Sequence, residues 1–442
     1  MATQPLPARP QSEAAKSISP FRRNLTLALI GLVAIINYVD RQAFTVLMED
    51  IKTEFVLNDT VLGLIGGLVF GVIYALAAIP IARIADRTDR PLVIAICLGF
   101  WSLATAACGL AANAWHIAIA RMGIAVGESG SGPAGVALAA EIFPDNRRVL
   151  VLGTIQAASS IGLSVGVVLT AWLATFLSWR HTFIAIGLPG ILLALLVYFL
   201  AAEPRRKEKL EASSSSKTDD APIPLGEAVR IIAGTPALRW LALLCIAVPM
   251  TGFGFLMWGP SFLQRVHGFN MQEVTWFGWA ILAGLVSGNL TAGWLGDQYG
   301  SRHPRFNAIL AASGLLIAVP FAAGFALLPN AYAAIACFVV LKFAMTLWMA
   351  PTIALTFTLV PVRMRATINS LMNAIVILSG IGFGFIVAGA LSDAYSQAFG
   401  ANSLRYALLT MSSGLIVGAF ACIMAARSVA RAKEKENATV AI

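Results

Sequence analysis

The sequence predicts an all-α membrane protein of twelve transmembrane helices arranged as two pseudo-symmetric six-helix bundles. Three observations predict it. The 442 residues are 58% hydrophobic and only 12% charged, with a mean hydropathy of +0.79, outside the range of soluble globular domains. Apolar runs of about 20 residues, the length an α-helix needs to cross a hydrocarbon core of roughly 30 Å, recur from end to end. One long polar stretch, AEPRRKEKLEASSSSKTDDAPIP, separates six of these runs from the other six. Its charges and serines cannot support a packed core.

Taken in order, residues 1–24 form a cytoplasmic N-terminal segment and the first run covers 25–47. Arg22 and Arg23 before it imitate a signal peptide, but the run is too long and has no small-residue cleavage site before Asp40, so it is expected to be retained. Runs at 60–82, 91–112, 116–140, 149–174 and 180–202 complete a first bundle over 25–202. The cytoplasmic linker 203–237 contains LGEAVRIIAG, which sets Leu225, Val229 and Ile232 at helical spacing, as for a short helix lying on the membrane surface. Runs at 238–262, 273–296, 305–327, 331–358, 366–391 and 404–427 give the second bundle, 238–427, ahead of a cytoplasmic tail at 428–442.

The net charge of +9 is spread by loop. Arg83/Arg87/Arg90, Arg147/Arg148, Arg205/Arg206/Lys207/Lys209, Arg302/Arg305 and Arg363/Arg365 all fall in even-numbered loops, and further bases stand at Arg22/Arg23 and from Arg427 to Lys435. The positive-inside rule places those loops and both termini in the cytoplasm. The opposite loops are acidic or nearly neutral, as in MEDIKTEFVLND with Glu49, Asp50, Glu54 and Asp59 against Lys52. This distribution assigns the basic excess to topology and not to nucleic acid. Cys97, Cys108, Cys245, Cys337 and Cys422 lie inside apolar runs without metal-type spacing and read as small hydrophobes.

The halves echo one another. ARIADRTDR follows the second run and GWLGDQYGSR the eighth; FPDNRR follows the fourth and VPVRMR the tenth, both with Pro-x-x-x-Arg. Matching loops at nearly one offset argue for a duplicated six-helix unit, the arrangement in which secondary transporters place a substrate site between repeats. The chain resembles the major facilitator superfamily in Asp86-Arg87-x-x-Arg90, in Gly293-x-x-x-Asp297-x-x-Gly300 and in the six-plus-six layout. Within it, NYVDR at 37–41, FWSLAT at 100–105, RMGIAVGE at 121–128 and EIFP at 141–144 resemble the bacterial spinster-like branch. The resemblance implies alternating access, an Asp86/Arg87/Arg90 loop that latches the outward-facing state, and amphiphilic lipid-derived substrates such as lysophospholipids or sphingosine phosphates.

Five ionisable residues fall well inside the runs: Asp40, Arg41, Arg121, Glu128 and Lys342. A charge at the bilayer centre costs roughly 2.5–3.5 kcal/mol on insertion scales, so each needs a partner or a wet cavity. Asp40 and Arg41 are successive helical positions and do not face each other. By helical rise, Asp40 and Arg121 lie at similar depth, ~10 Å and ~8 Å from the outer surface. Glu128 is two turns beyond Arg121 on the same helix face and near the midplane. The expectation is a proton switch in which Asp40 and Glu128 take up protons while Arg41 and Arg121 exchange partners between them. The alternative is a static salt-bridge network joining the first and fourth spans.

Asn37, Tyr38 and Ser129 stand beside these charges and are substrate-binding candidates, although Ser129 also fits a helix–helix hydrogen bond. GESGSGPAG contains Gly130-x-Gly132-x-x-Gly135, but no strand precedes it, so it is read as close helix packing with Pro133 loosening the backbone. In the second half, PMTGFGFLMWGP reads as a broken helix and offers Phe253, Phe255 and Trp258 as binding or gating residues, or alternatively as lipid-facing or core aromatics. Lys342, near the midplane of the tenth run, either attracts an anionic group or snorkels or pairs structurally.

The resulting expectation is a monomeric, proton-coupled secondary transporter in a bacterial inner membrane, with no metal and no cofactor beyond the proton gradient. Its partners are membrane lipids and a lipid or small-molecule substrate. Proton-coupled import of small organic anions such as sugar acids is the second reading, and multidrug/proton antiport the third. His-Glu-x-x-His does not occur, the one Gly-x-Ser-x-Gly, Gly162 to Gly166, lies inside the fifth apolar run with no strand before it, and the four histidines, His116, His181, His267 and His303, fall at loops or run edges, which argues against an enzyme.

Overall fold

The computed structural model describes residues 18–144, 147–203, 225–295, 298–299, 304–361 and 364–440. Asp297 and Gly300, the side chain of Asp86 and most of the linker lie outside the described residues. Every predicted span is helical, and no strand occurs among the described residues. The helices are α1 (Pro20–Val46), α2 (Met48–Phe55), α3 (Asp59–Gly63), α4 (Val69–Arg87), α5 (Arg90–Cys108), α6 (Ala114–Ile142), α7 (Arg148–Ala174) and α8 (Trp179–Leu200). After the linker come α9 (Leu225–Gly234), α10 (Pro236–His267), α11 (Met271–Leu295), α12 (Pro304–Leu327), α13 (Ala331–Thr346), α14 (Met349–Leu359), α15 (Arg365–Ile377), α16 (Phe385–Phe399), α17 (Ser403–Met411) and α18 (Ser413–Val440).

Polar residues at the ends set these boundaries. Asp89, Asn113, Ser178 and Asn330 accept from backbone amides of the first turns of α5, α6, α8 and α13, satisfying donors that a helix start leaves open. Asn270 and Glu273 form a reciprocal capping box at α11, each side chain taking the other's amide at 2.9 Å. At the end of α10, Gly268 adopts φ +70°, a left-handed cap that only glycine takes without strain.

The helices gather into two compact units. One holds the described residues up to Ala43, Ile73–Gly166 and those from Leu177 to 203; the other holds Phe44–Val72, Val167–Phe176 and the described residues from 225 onward. In the first unit α5 packs against both α6 and α8. A Cβ at Gly127 of α6 would stand 2.7 Å from Trp101 Cβ and 2.8 Å from the Cys97 carbonyl, so the absence of a side chain there is what lets α5 and α6 approach. At the far end of α5, the Arg90 guanidinium pairs with Glu141 of α6, and its amide donates to Glu203 at 2.7 Å.

In the second unit α10 corrects one expectation. The stretch containing Pro249 and Pro260 is one unbroken 32-residue helix. Pro249 has no N–H for the Cys245 carbonyl, and the Ser379 hydroxyl donates to that carbonyl instead, at 3.0 Å. A neighbouring side chain thus repairs the ladder, as packed membrane helices permit. The tenth span, expected to be continuous, is divided between α13 and α14. Pro351 has no N–H for the Leu347 carbonyl four residues back, and the Leu347 amide turns to donate to the Ala344 carbonyl. Two π-turns, Leu64–Leu68 and Leu378–Gly384, meet through glycines, since a Cβ at Gly67 would lie 2.7 Å from the Ile381 carbonyl. The expected linker helix is present as α9, with Ile232 buried and Val229 half exposed.

The same unit holds a dense polar cluster where α2, α3, α10 and α16 come together. Arg265 of α10 grips Glu49 through Nη2–Oε1 at 2.6 Å and Nε–Oε2 at 3.1 Å, and Asp59 through Nη1–Oδ2 at 2.6 Å and Nη2–Oδ1 at 3.0 Å. Asp59 also accepts from Lys52 Nζ at 2.6 Å and from the Ser392 hydroxyl at 2.7 Å. Asp393 of α16 caps α3, accepting from the amides of Asp59 and Thr60 at 3.0 and 2.7 Å and from the Thr60 hydroxyl at 2.6 Å. An anion at a helix start is favoured by the dipole as well as by the open N–H groups.

Candidate functional site

The first unit brings together the four charges singled out in the first and fourth runs. Asp40 and Arg41 project from α1, Arg121 and Glu128 from α6; Asp40, Arg121 and Glu128 are 1%, 3% and 1% exposed, far too buried for solvated charges. Arg41 Nε donates to Glu128 Oε2 at 2.5 Å, and its guanidinium carbon stands 5.2 Å from the Tyr38 ring and 5.4 Å from the Tyr74 ring. Aromatic faces around a desolvated guanidinium add attraction that water does not screen. Asp40 points elsewhere, as its helical position requires: its Oδ2 accepts from the Trp101 indole N–H at 2.8 Å. The ionisable groups facing Asp40 are Glu128 and Arg121 from α6 and Cys108 from α5.

The two carboxylates are incompletely satisfied. Asp40 Oδ1 and Glu128 Oε1 are buried, and neither accepts a hydrogen bond among the described residues. A buried carboxylate oxygen without a donor is costly when charged, and protonation removes that cost. Two acids facing two guanidiniums with two acceptor positions open form a group whose pairing can change by proton uptake. No set of three or more His, Cys, Asp or Glu is placed to hold a metal among the described residues.

Other candidates are placed as follows. Asn37 is buried beside the network, and Tyr38 lies against Arg41. Ser129 is fully buried, and its hydroxyl donates to the Val126 carbonyl of its own helix at 2.8 Å, so it joins no second helix. In the second unit Phe255 and Trp258 are fully buried. Phe255 packs 5.9 Å from Phe325, and the Trp258 indole donates to the Phe385 carbonyl at 2.9 Å. Phe253 is partly buried against Gly380. Lys342 is 8% exposed on α13. In the loop motif, Arg90 makes the Glu141 pair, Arg87 is exposed, and Gly293 is exposed with open space where a Cβ would be.

Trp101 and Tyr74 belong to the site and were not singled out from the sequence. Trp101 was visible only inside FWSLAT, a motif otherwise valued for its resemblance; an indole in an apolar run is indistinguishable from packing until its partner is known.

Residues 30–384 match the Major Facilitator Superfamily. The chain belongs to that superfamily, whose members are transporters and not enzymes. It is an integral, multi-pass membrane protein. An MFS-type efflux pump of Mycolicibacterium smegmatis is 30% identical to it over 408 residues, 90% of this chain and 92% of that protein. The D-galactonate transporter of Escherichia coli is 26% identical over 432 residues, 93% and 97% of the two chains. A crystal structure of a bacterial homolog to the human lysosomal transporter Spinster, inward-facing and unoccupied, superposes with a TM-score of 0.82 at 26% identity, covering 93% of this chain and 98% of that one. The spinster-like resemblance seen in the first-half motifs thus extends over nearly the whole superfamily fold.

Proposed function

We propose that this transporter is proton-coupled and moves an anionic or zwitterionic amphiphile of the lysophospholipid or sphingosine-phosphate class by alternating access across a bacterial inner membrane, with both termini cytoplasmic. The observation that carries the coupling is the buried Arg41–Glu128 pair at 2.5 Å beside Asp40, with one oxygen of each acid lacking a donor. Protonation of Glu128 removes the acceptor's charge from its ion pair, leaving a cationic donor on a neutral acid, and loosens Arg41; protonation of Asp40 removes a buried charge while its indole bond remains. Proton occupancy thereby biases which pairs form. The lipid class is what the spinster-like resemblance of the sequence implies, and the likeness to the Spinster homolog supports that resemblance. Sugar acids are the second reading, favoured by the likeness to the D-galactonate transporter.

Uptake into proteoliposomes decides between them. With the purified chain and a pH gradient, a radiolabelled lysophospholipid is expected to accumulate and D-galactonate is not; accumulation of D-galactonate alone overturns the lipid reading. Asp40→Asn and Glu128→Gln are each expected to cut gradient-driven accumulation at least tenfold, in line with general acid–base groups elsewhere, while leaving gradient-independent exchange measurable. Full accumulation with an unchanged pH profile in both variants makes the network a static one.

A further inference from the structure

The charges in the two units are not alike. Among the four charged residues of the first unit's network, three buried and Arg41 partly so, two acids face two guanidiniums, so that network is neutral by itself. In the second unit Lys342, one turn before the end of α13, is buried with no carboxylate partner among the described residues. Its Nζ donates to the Gly252 carbonyl of α10 at 3.4 Å, beyond the usual 2.7–3.2 Å for an N–H···O bond, and stands 5.6 Å from the Phe338 ring. An ammonium carries three donors, and these contacts use one of them weakly. A glycine makes room for the side chain: a Cβ at Gly284 of α11 would lie 2.5 Å from Lys342 Cβ. A cation held this closely within a span, with no counter-charge, is relieved by loss of its proton or by an anion from outside the chain.

We infer that Lys342 is the point at which the transported substrate's anionic group, a carboxylate or a phosphate, is recognised. The inference rests on the transport reading and adds a fixed location: the second unit supplies the substrate's counter-charge and the first unit handles protons. Arg41 and Arg121 do not take this role, because Asp40 and Glu128 already balance them.

Equilibrium binding to the full chain in nanodiscs tests it with four probes: lysophosphatidylglycerol and D-galactonate as anions, and monoacylglycerol and D-galactose as their neutral counterparts. The lipid and sugar arms separate a headgroup phosphate from a free carboxylate. Lys342→Gln is expected to weaken binding of whichever anion the wild type takes by about tenfold or more, the scale of a lost hydrogen bond to a charged group. Lys342→Arg should recover most of that loss, and the neutral probes should not respond to either change. Wild-type affinity in Lys342→Gln, an equal loss for neutral and anionic probes, or a wild type that binds neither anion overturns the inference. If Lys342→Gln fails to fold, Lys342→Met keeps the chain length and serves in its place. Because binding needs no gradient, absence of proton coupling in liposomes would count against the coupling proposal alone.

Discussion

At the scale of single residues, the buried charges were legible because charge inside an apolar run is rare and therefore informative. Helical geometry also predicted that Asp40 and Arg41 would take separate partners, and they do: one finds Trp101, the other Glu128. The identity of the Trp101 partner was not legible, since it lies 61 positions away and its residue type is common in membrane cores. Trp101→Phe keeps the ring against Gly127 and deletes only the N–H. It is expected to cost about 1–2 kcal/mol of stability, the scale of one buried hydrogen bond, and to shift the pH dependence of transport because Asp40 loses its indole donor. A pH profile matching wild type would leave Trp101 with a packing role alone.

At the scale of elements, helix lengths followed hydropathy closely, but continuity did not follow proline content. Pro249 looks like a break in one dimension and is harmless in three because Ser379 reaches the freed carbonyl. Ser379→Ala is expected to destabilise by about 1–3 kcal/mol, the cost of a buried unpaired carbonyl, and to do so only while Pro249 is present. The loop MEDIKTEFVLND reads as an acidic loop opposite the basic ones, yet two of its four acids, Glu49 and Asp59, are held by Arg265, and Asp59 also by Lys52. No local pattern could reveal that, because Arg265 lies more than 200 positions further along the chain. Arg265→Ala leaves Glu49 and Asp59 without their main cation and is expected to destabilise contact between α3 and α10 by about 3 kcal/mol, measurable as faster alkylation of a cysteine introduced into α3. Asp50, beside this cluster, is raised above the ordinary carboxyl range by burial and then by the charge of Glu49. Its ionised form is therefore penalised in the folded state. Asp50→Asn should stabilise the protein above the raised pKa and make no difference below about pH 4, where the acid is protonated folded or unfolded.

At the scale of the whole molecule, twelve spans and an internal duplication could be read directly, because lipid permits so few backbone solutions. Orientation rests on the loop charges. Alkaline phosphatase fused after Phe55 is expected to be active and after Arg90 inactive, with a C-terminal green fluorescent protein fluorescent; the reverse pattern would invert the topology.

Asp59 is held by Arg265, Lys52 and Ser392 together, while Asp393 holds the start of its helix, so these contacts cannot be shed one by one without stranding a dehydrated carboxylate. Any cycle that parts α3 from α10 must admit water to the whole group at once, which makes that parting an all-or-none event. Turnover at saturating substrate should then rise with salt in the wild type and lose that sensitivity in Arg265→Ala, because dissolved ions take over the work of one guanidinium.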